Sequence, residues 1–411
     1  MSSELRATEQ PQTLWVMSEV YYPEDISTGY YLTEIAEGLT TDHTVKVITG
    51  QPKHMSRGLR APTRERHNGV DIHRVWGTTF DKNLFALRLI NMLTIGLSTL
   101  LFSVRSFKRG DRVLAVTAPP TMPLVAAIAA LIKGSSVTIL IQDSYPEILI
   151  AVGKVRPNSL TAWLTNFVNR WVYKHTAKII VIGRDMKALF EKKTEGLDVP
   201  IEVIPNWADL EAIRPELRDS NPLLQELGLV NKFVLLCAGN LGPAIDLETL
   251  KDSARLLLPE NNIHFLFIGA GARVKWLRSQ VEANGLSNIT LLDYRPRTEQ
   301  NIFLNACDVG LVALIAGMKG TAMPSRTYNL MAAGKPIIAV CEPNSELDLV
   351  VSEDGLGEVV PPGDPPALAA AIRKVASSTR ELAFYGQNSR NAAEKKYSRV
   401  STIAAFRKAI P

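Results

Sequence analysis

Residues 317–336 read Gly317-Met318-Lys319-Gly320-Thr321-Ala322-Met323-Pro324-Ser325-Arg326-Thr327-Tyr328-Asn329-Leu330-Met331-Ala332-Ala333-Gly334-Lys335-Pro336. Pro324 and Ser325 predict a helix start, whose free N–H groups and positive dipole end favour an anion placed before them. Lys319 and Arg326 flank that start, so a diphosphate there would meet donors and cations together. Gly334 ends the helix and Pro336 blocks its continuation. A capped helix with two solvated cations is the plainer reading of the same residues. Two further glycine turns, Gly239-Asn240-Leu241-Gly242 and Gly269-Ala270-Gly271, also follow strand-like runs. With the 317–321 loop and Gly334 they predict glycines along one edge of one sheet, where backbone approaches a ligand closely. Each alone fits a tight strand–helix turn. Asp143 and Glu147 are acids in a loop after another strand-like run. Either could take a proton from an acceptor, although a helix-start carboxylate is the plainer reading of Glu147.

The elements that position these residues follow from periodicity. In residues 1–206 strands are predicted at 14–18, 45–49, 70–76, 113–117, 136–142 and 179–182, with helices at 29–40 and 122–132. In residues 207–411 strands are predicted at 233–238, 264–268, 289–292, 309–313 and 337–340. Helices there are predicted at 246–257, 274–282, 299–305, 328–333, 366–376 and 389–408. Strand, loop and helix in alternation predict parallel sheets covered on both faces. The proline-rich stretch 203–215 divides the chain into domains 1–206 and 207–411. Two such sheets in series imply a cleft, with ligands beyond the carboxyl ends of strands. Residues 84–104 have the length of a membrane span, but Arg88, Asn91, Thr94, Ser98 and Ser103 interrupt the run. It is expected as a long helix, mostly buried or at an interface.

Composition narrows the class. The chain has 411 residues, with 46% hydrophobic and 21% charged residues, as an ordinary two-domain globular protein does. Three cysteines, Cys237, Cys307 and Cys341, predict neither a disulfide framework nor a zinc site, and fit a reduced cytosolic protein. The polar residues 1–12 do not read as a secretory signal. Residues 1–206 carry 24 Lys and Arg against 19 Asp and Glu, and the second half is balanced at 22 each, so the excess charge is N-terminal. Twelve basic residues meet four acids between Lys53 and Arg112, a field that attracts phosphates or an anionic membrane. No recognition-helix, RRM-like or zinc pattern accompanies it, so nucleic acid is not expected. No carboxylate cluster has ligand spacing, so no metal is expected.

In order along the chain, Gly239-Asn240-Leu241-Gly242, Ile268-Gly269-Ala270-Gly271, Pro324-Ser325-Arg326, Ala332-Ala333-Gly334-Lys335-Pro336, Gly355-Leu356-Gly357 and Pro362-Gly363-Asp364 resemble the retaining GT-B glycosyltransferases of family GT4. Within it the sequence is similar to bacterial surface-polysaccharide transferases of the WbuB type. Tyr22-Pro23-Glu24 with Gly29, Ala118-Pro119-Pro120, Asp143-Ser144-Tyr145-Pro146-Glu147 and Ile204-Pro205-Asn206-Trp207 fit the same pattern, over residues 13–408. The resemblance implies an α/β architecture of two Rossmann-like domains facing a central cleft. Residues 1–206 would bind the acceptor, and residues 207–411 a nucleotide-sugar, on the resemblance a UDP-sugar. The final helix would pack back on the first domain.

Residue by residue, the resemblance places Gly239, Asn240 and Gly242 near the donor phosphates and Gly269 and Gly271 near the nucleoside. Tyr294 and Arg295 would border the base. Pro324, Ser325 and Arg326 would hold the diphosphate, and Asn329 would face the ribose. Gly29 and Tyr30 would approach from the first domain. It implies transfer with retention of configuration; the residues themselves suggest Asp143, Arg326 and Lys319 as the catalytic set, with no cofactor. The acceptor would be a saccharide or a lipid-linked diphosphate sugar. The basic region 53–112 and the apolar run 84–104 suggest a cytoplasmic monomer or dimer, peripheral at the inner face of an anionic membrane.

Departures from the family pattern bear on activity. Of the family's two glutamates seven residues apart, the second falls at Asn329 and the first nearest Thr321. The usual Arg and Lys after the domain's first strand appear as Asn240 and as Ala244 or Ile245. A nucleotide-sugar 2-epimerase and a non-catalytic nucleotide-sugar-binding protein therefore stay open as alternatives. A nicotinamide dehydrogenase is more distant, because the fingerprint at Gly269 lacks its third glycine and its trailing acid.

Overall fold

The computed structural model describes residues 12–52, 60–80 and 85–410. Residues 1–11, the basic Lys53, Arg57 and Lys82, and the side chain of Arg88 lie outside what it describes. Among the described residues the first sheet holds β1 (Thr13–Met17), β2 (Thr44–Thr49), β3 (Arg64–His67), β4 (Val70–Arg74), β5 (Arg112–Val116), β6 (Ser136–Ile141), β7 (Lys178–Val181) and β8 (Ile201–Val203). Their order is β3-β4-β2-β1-β5-β6-β7-β8, and β3 alone is antiparallel to its neighbour. The second sheet holds β9 (Phe233–Asn240), β10 (Ile263–Ala270), β11 (Ile289–Leu292), β12 (Val309–Ala313), β13 (Ile337–Val340) and β14 (Gly357–Val360). Its order is β11-β10-β9-β12-β13-β14, parallel throughout.

The helices of the first half are α1 (Ser27–Gly38), α2 (Phe85–Ser106), α3 (Met122–Lys133), α4 (Glu147–Ala151), α5 (Leu160–Lys174) and α6 (Arg184–Lys193). Those that follow are α7 (Pro222–Glu226), α8 (Leu247–Leu256), α9 (Val274–Ala283), α10 (Gln300–Asn305), α11 (Arg326–Ala332), α12 (Glu346–Glu353), α13 (Pro365–Ala376), α14 (Thr379–Lys395) and α15 (Arg399–Ala409). The strands are apolar on both faces because helices cover both: Val309 to Ala313 of β12, for example, are all buried. Steps from β4 to β5, β6 and β7 run in one direction, so right-handed crossovers set α2, α3 and α5 on one face. There α2 packs on α3 and α3 on α5.

Three expectations change. The hairpin β3–β4 was not predicted, although Asn68 and Gly69 turn it with φ of 43° and 85°. Its edge strand Arg64-Glu65-Arg66-His67 carries no apolar face to signal it. The single helix expected at 389–408 is two. The chain breaks where Ala208 N–H donates to the Tyr397 carbonyl at 2.8 Å, and Ser398 caps α15. That turn lays α15 on α1, where Ile403 fits against Gly38 and Arg407 Nη2 donates to the Gly38 carbonyl at 2.9 Å. Lastly, of the two readings of α2, mostly buried or at an interface, the buried one goes: Leu89, Ile90, Leu93, Leu97 and Leu101 face outward.

Candidate active site

In each sheet the chain reverses direction at one point, β1/β5 in the first and β9/β12 in the second, and there the carboxyl ends open a crevice. At the second crevice Arg326 opens α11. Its Nη2 donates to the Asn240 carbonyl at 3.0 Å and its Nη1 to Cys237 Sγ at 3.4 Å. The guanidinium therefore lies across the end of β9, where a side chain on Gly239 would touch it. Among the described residues no carboxylate pairs with Arg326, and no acceptor takes the N–H of Ser325 or Arg326. A half-buried cation beside open helix N–H groups makes an anion site.

The loop before α11 is less open than its glycines suggest. Glu342 accepts from Gly317 N–H and Lys319 N–H, both at 2.9 Å, and Asp185 accepts from Gly320 N–H at 2.8 Å. Lys319 donates its Nζ to the Pro343 carbonyl at 2.9 Å and is exposed, whereas Arg326 is half-buried at the end of β9. Thr321 turns its hydroxyl to the Met318 carbonyl and is buried. Pro324 and Ser325 accept the first turn's N–H groups, from Thr327 and Tyr328. Asn329 is buried, with its Oδ1 left unbonded among the described residues.

Gly269 and Gly271 answer to the sheet. A Cβ on Gly269 would stand 1.9 Å from the Gly239 carbonyl oxygen, and one on Gly271 2.4 Å from that of Leu241. Both have φ near +155°, which L side chains rarely adopt. The glycines let β9 and β10 pair to their last residues, Asn240 and Ala270. Gly242 accommodates the Asn240 side chain. Tyr294 is exposed and Arg295 is tied to Glu299 at 2.9 Å.

The first half meets this edge directly. Asp143 forms an antiparallel bridge with Ala322, and Ser144 N–H donates to the Thr321 carbonyl at 2.8 Å. The loop after β6 is thus paired with the loop before α11. Asp143 keeps a little surface open, but burial around its carboxyl raises its pKa to about 6. A cavity of about 10 Å³ beneath it, between Thr117, Asn169 and Tyr173, has room for one water and not for a sugar. Glu147 is spent differently, paired with Lys193 at 2.5 Å and accepting from Ser144 Oγ at 2.7 Å.

Gly29 and Tyr30 lie across the interface. A Cβ on Gly29 would stand 2.5 Å from the Glu24 carbonyl, so the residue admits the loop after β1 onto α1. Tyr30 donates its hydroxyl to Asp209 at 3.1 Å, and Arg297 stacks on its ring at 3.4 Å while bonding Asp209 at 3.1 Å. The structure therefore uses Tyr30 to hold the halves together. A second clamp, missed in the sequence, joins α6 to α12. Glu346 accepts from Arg184 N–H at 2.7 Å and Nε at 3.0 Å, and Asp185 accepts from Glu346 N–H at 2.9 Å. Its only signal was an Arg-Asp pair at a helix start, which no spacing rule links to residue 346.

Comparison with known proteins decides the family. Residues 28–207 match the family described as Glycosyl transferase 4-like domain, and residues 232–378 that described as Glycosyl transferases group 1. The chain is 31% identical over 309 residues to the probable glycosyltransferase WbjE of Pseudomonas aeruginosa, covering 74% of this chain and 76% of that one. The chain belongs to the group 1 glycosyltransferases. This glycosyltransferase is also 26% identical over 374 residues to the putative colanic acid biosynthesis glycosyl transferase WcaI of Escherichia coli K12, covering 86% and 89% of the two chains. Its fold is GT-B. Sucrose-phosphate synthase from Thermosynechococcus elongatus superposes with a TM-score of 0.80 at 14% identity, covering 97% and 98%. Anabaena HepE in complex with UDP does so with a TM-score of 0.72 at 16% identity, covering 97% and 99%.

Proposed function

We propose that this glycosyltransferase moves a sugar, with retention, from a UDP-sugar bound to residues 207–411 onto a saccharide or lipid-linked acceptor bound to residues 1–206, in surface-polysaccharide synthesis. The observation that carries the reading is the uncompensated Arg326 at the second sheet's switch point. A leaving diphosphate needs fixed positive charge and N–H donors in a closed cleft, and Arg326 with the start of α11 supplies both. Retention and the WbuB-type acceptor chemistry rest on the family resemblance. WbjE and WcaI, by their names, favour a polysaccharide product, and the HepE complexes with UDP and UDP-glucose favour a uridine donor.

In this scheme the bond from the anomeric carbon to the diphosphate breaks, and its electron pair leaves on a phosphate oxygen facing Arg326. The acceptor oxygen bonds that carbon and its proton passes to Asp143, whose raised pKa suits a base working near neutrality. The unbonded Oδ1 of Asn329 is the acceptor this reading gives to a ribose hydroxyl. Thermal denaturation with UDP, GDP, CMP and ADP tests the donor site: UDP is expected to raise the melting temperature of the native chain, and less so in Arg326→Ala. Absence of a shift with every nucleotide would sink the proposal.

A further inference from the structure

Helix α2 is built inside out. Its inward stripe is Asn91, Ile95, Thr99 and Ser103, all buried, while Leu89, Leu93, Leu97 and Leu101 stand outward at the same four-residue spacing. The inward Asn91 is occupied: its amide holds the loop before the helix, taking Phe80 N–H at 3.0 Å and Thr78 Oγ1 at 2.7 Å, and donating to the Phe80 carbonyl at 2.9 Å. The outward leucines serve no core, with Leu93 61% and Leu97 59% exposed. Beyond α3, whose Leu131 and Ile132 are also exposed, α5 repeats the pattern. Leu160, Trp163, Leu164, Phe167 and Trp171 face outward, and the stacked rings of Trp163 and Phe167 are each 62% exposed. Because α2, α3 and α5 cover one face of the sheet in contact with one another, these residues belong to one apolar face. Such a face on a water-soluble surface marks a contact site.

Charge says what covers it. Helices α2, α3 and α5 contain no Asp or Glu. Across residues 85–184 the acids are Asp111, Asp143 and Glu147, and none is exposed. Asp111 is buried against Trp15 Nε1, and Glu147 is paired with Lys193. The exposed charges in this region are basic: Arg105 in the last turn of α2, Lys108 and Arg109 after it, Lys154 and Arg156 before α5, and Arg170 and Lys174 on α5. A second copy seated on this face by a twofold axis would bring the basic rim against itself. A bilayer with anionic headgroups matches both parts, taking the leucines and tryptophans at the acyl boundary and the cations at the headgroups.

We propose that the α2–α3–α5 face docks the enzyme flat on an anionic lipid bilayer. The run Leu89–Ser106 is long and apolar enough to cross a membrane, but its polar inner stripe and its packing on α3 fix it as a surface helix. Inner-face residues Asn169 and Tyr173 of α5 line the cavity under Asp143, so docking sets the acceptor side of the cleft one helix, roughly 10 Å, from the bilayer.

The test floats the full-length chain with vesicles of phosphatidylglycerol in phosphatidylcholine, against phosphatidylcholine alone. Binding to the anionic vesicles, weakened by salt and reduced about tenfold or more by Trp163→Glu with Phe167→Glu or by Leu93→Glu with Leu97→Glu, is expected. Lys108→Glu with Arg109→Glu should weaken binding while leaving these apolar positions intact. The substituted residues are exposed, and an unchanged melting temperature and unchanged UDP response in each variant would separate docking from folding and from the donor reading. A wild-type chain that stays unbound overturns the proposal. So does binding resistant to alkaline carbonate, which means a span, or a dimer in solution that the Trp163→Glu and Phe167→Glu pair dissolves without any flotation.

Discussion

Charges at the facing edges of the two sheets fall into two sets. Arg184 with Glu346 is paired across the halves, within 3.0 Å, and Arg297 with Asp209, within 3.1 Å, is paired inside the second half against Tyr30 of the first. Arg326 and Asp143 lie among them and have no charged partner among the described residues. A paired charge has already spent its field on the fold. An unpaired one keeps it for whatever enters the cleft, and the protein bears the desolvation until then. On this comparison the clamps should matter for how the halves sit, and the two lone charges for chemistry.

The sharpest way to break the comparison is Arg326→Ala. Turnover measured as kcat/KM should fall by about 10²- to 10³-fold, as when one fixed donor to a developing anion is removed. Melting should change little, because the guanidinium's bonds go to a carbonyl and a thiol at the open end of β9. An active Arg326→Ala enzyme would mean that its lone charge is idle.

Asp143→Asn comes next, with a loss of about 10²-fold expected for removal of a general base. Its pH behaviour is the more telling result. The folded carboxyl has a pKa of about 6 against 3.8 for a solvated one, so the native state holds the proton more tightly than the unfolded chain. That stabilisation is fully present below pH 3.8 and is lost as pH rises through 6. At neutral pH the ionised group costs roughly 2–3 kcal/mol. Asp143→Asn should therefore melt higher than wild type at pH 7.5 and show no such gain near pH 4, and it should lose the acid limb of the activity profile. A wild-type profile with no limb near pH 6 would place the base elsewhere.

How far this division could be read from the residues alone depends on range. Strands such as 233–238 and 309–313 were legible because burial on both faces makes unbroken apolar runs, and the helix start in the glycine-flanked 317–336 segment was legible from Pro324 and Ser325. Arg326 is singled out there by its place at a helix start, and in the structure it opens α11. Lys319, one turn of loop away and equally cationic, is indistinguishable from it in the sequence and differs in the structure by its exposure. The N–H groups of Gly317, Lys319 and Gly320 looked free for a ligand, yet Glu342 and Asp185 take them from 25, 23 and 135 residues away. The clamp from α6 to α12 spans 162 residues, and no periodicity encodes such a pairing. The leucines of α2 leave burial and an interface both open in the sequence for a related reason: an apolar stripe shows that something covers it, and only packing shows whether that is the core.

Among the clamps, Arg184→Ala should have a moderate effect. Its side chain is 43% exposed, so the ion pairs to Glu346 and Glu353 are worth about 1 kcal/mol after solvent screening. The Asp185 bonds to Gly320 and Glu346 N–H remain in that variant and keep the loop before α11 in place. A melting temperature lowered by a few degrees, with kcat nearly unchanged and KM raised, would fit a residue that only sets how the halves meet.

The smallest effect, and the finest cut, is Lys319→Ala. Lys319 and Arg326 both flank the start of α11, and a reading from charge alone gives them equal shares of the leaving group. The structure makes them unequal: Arg326 lies half-buried across the end of β9 with no carboxylate paired to it among the described residues, whereas Lys319 is exposed beside Glu342, which takes its backbone N–H. An exposed ammonium beside that carboxylate delivers little field into the cleft. Lys319→Ala should then lower kcat/KM by less than about tenfold, at least about ten times less than Arg326→Ala. If the two substitutions cost the same, Lys319 must leave Pro343 when donor binds, and the division between spent and unspent charge would describe only the unliganded enzyme.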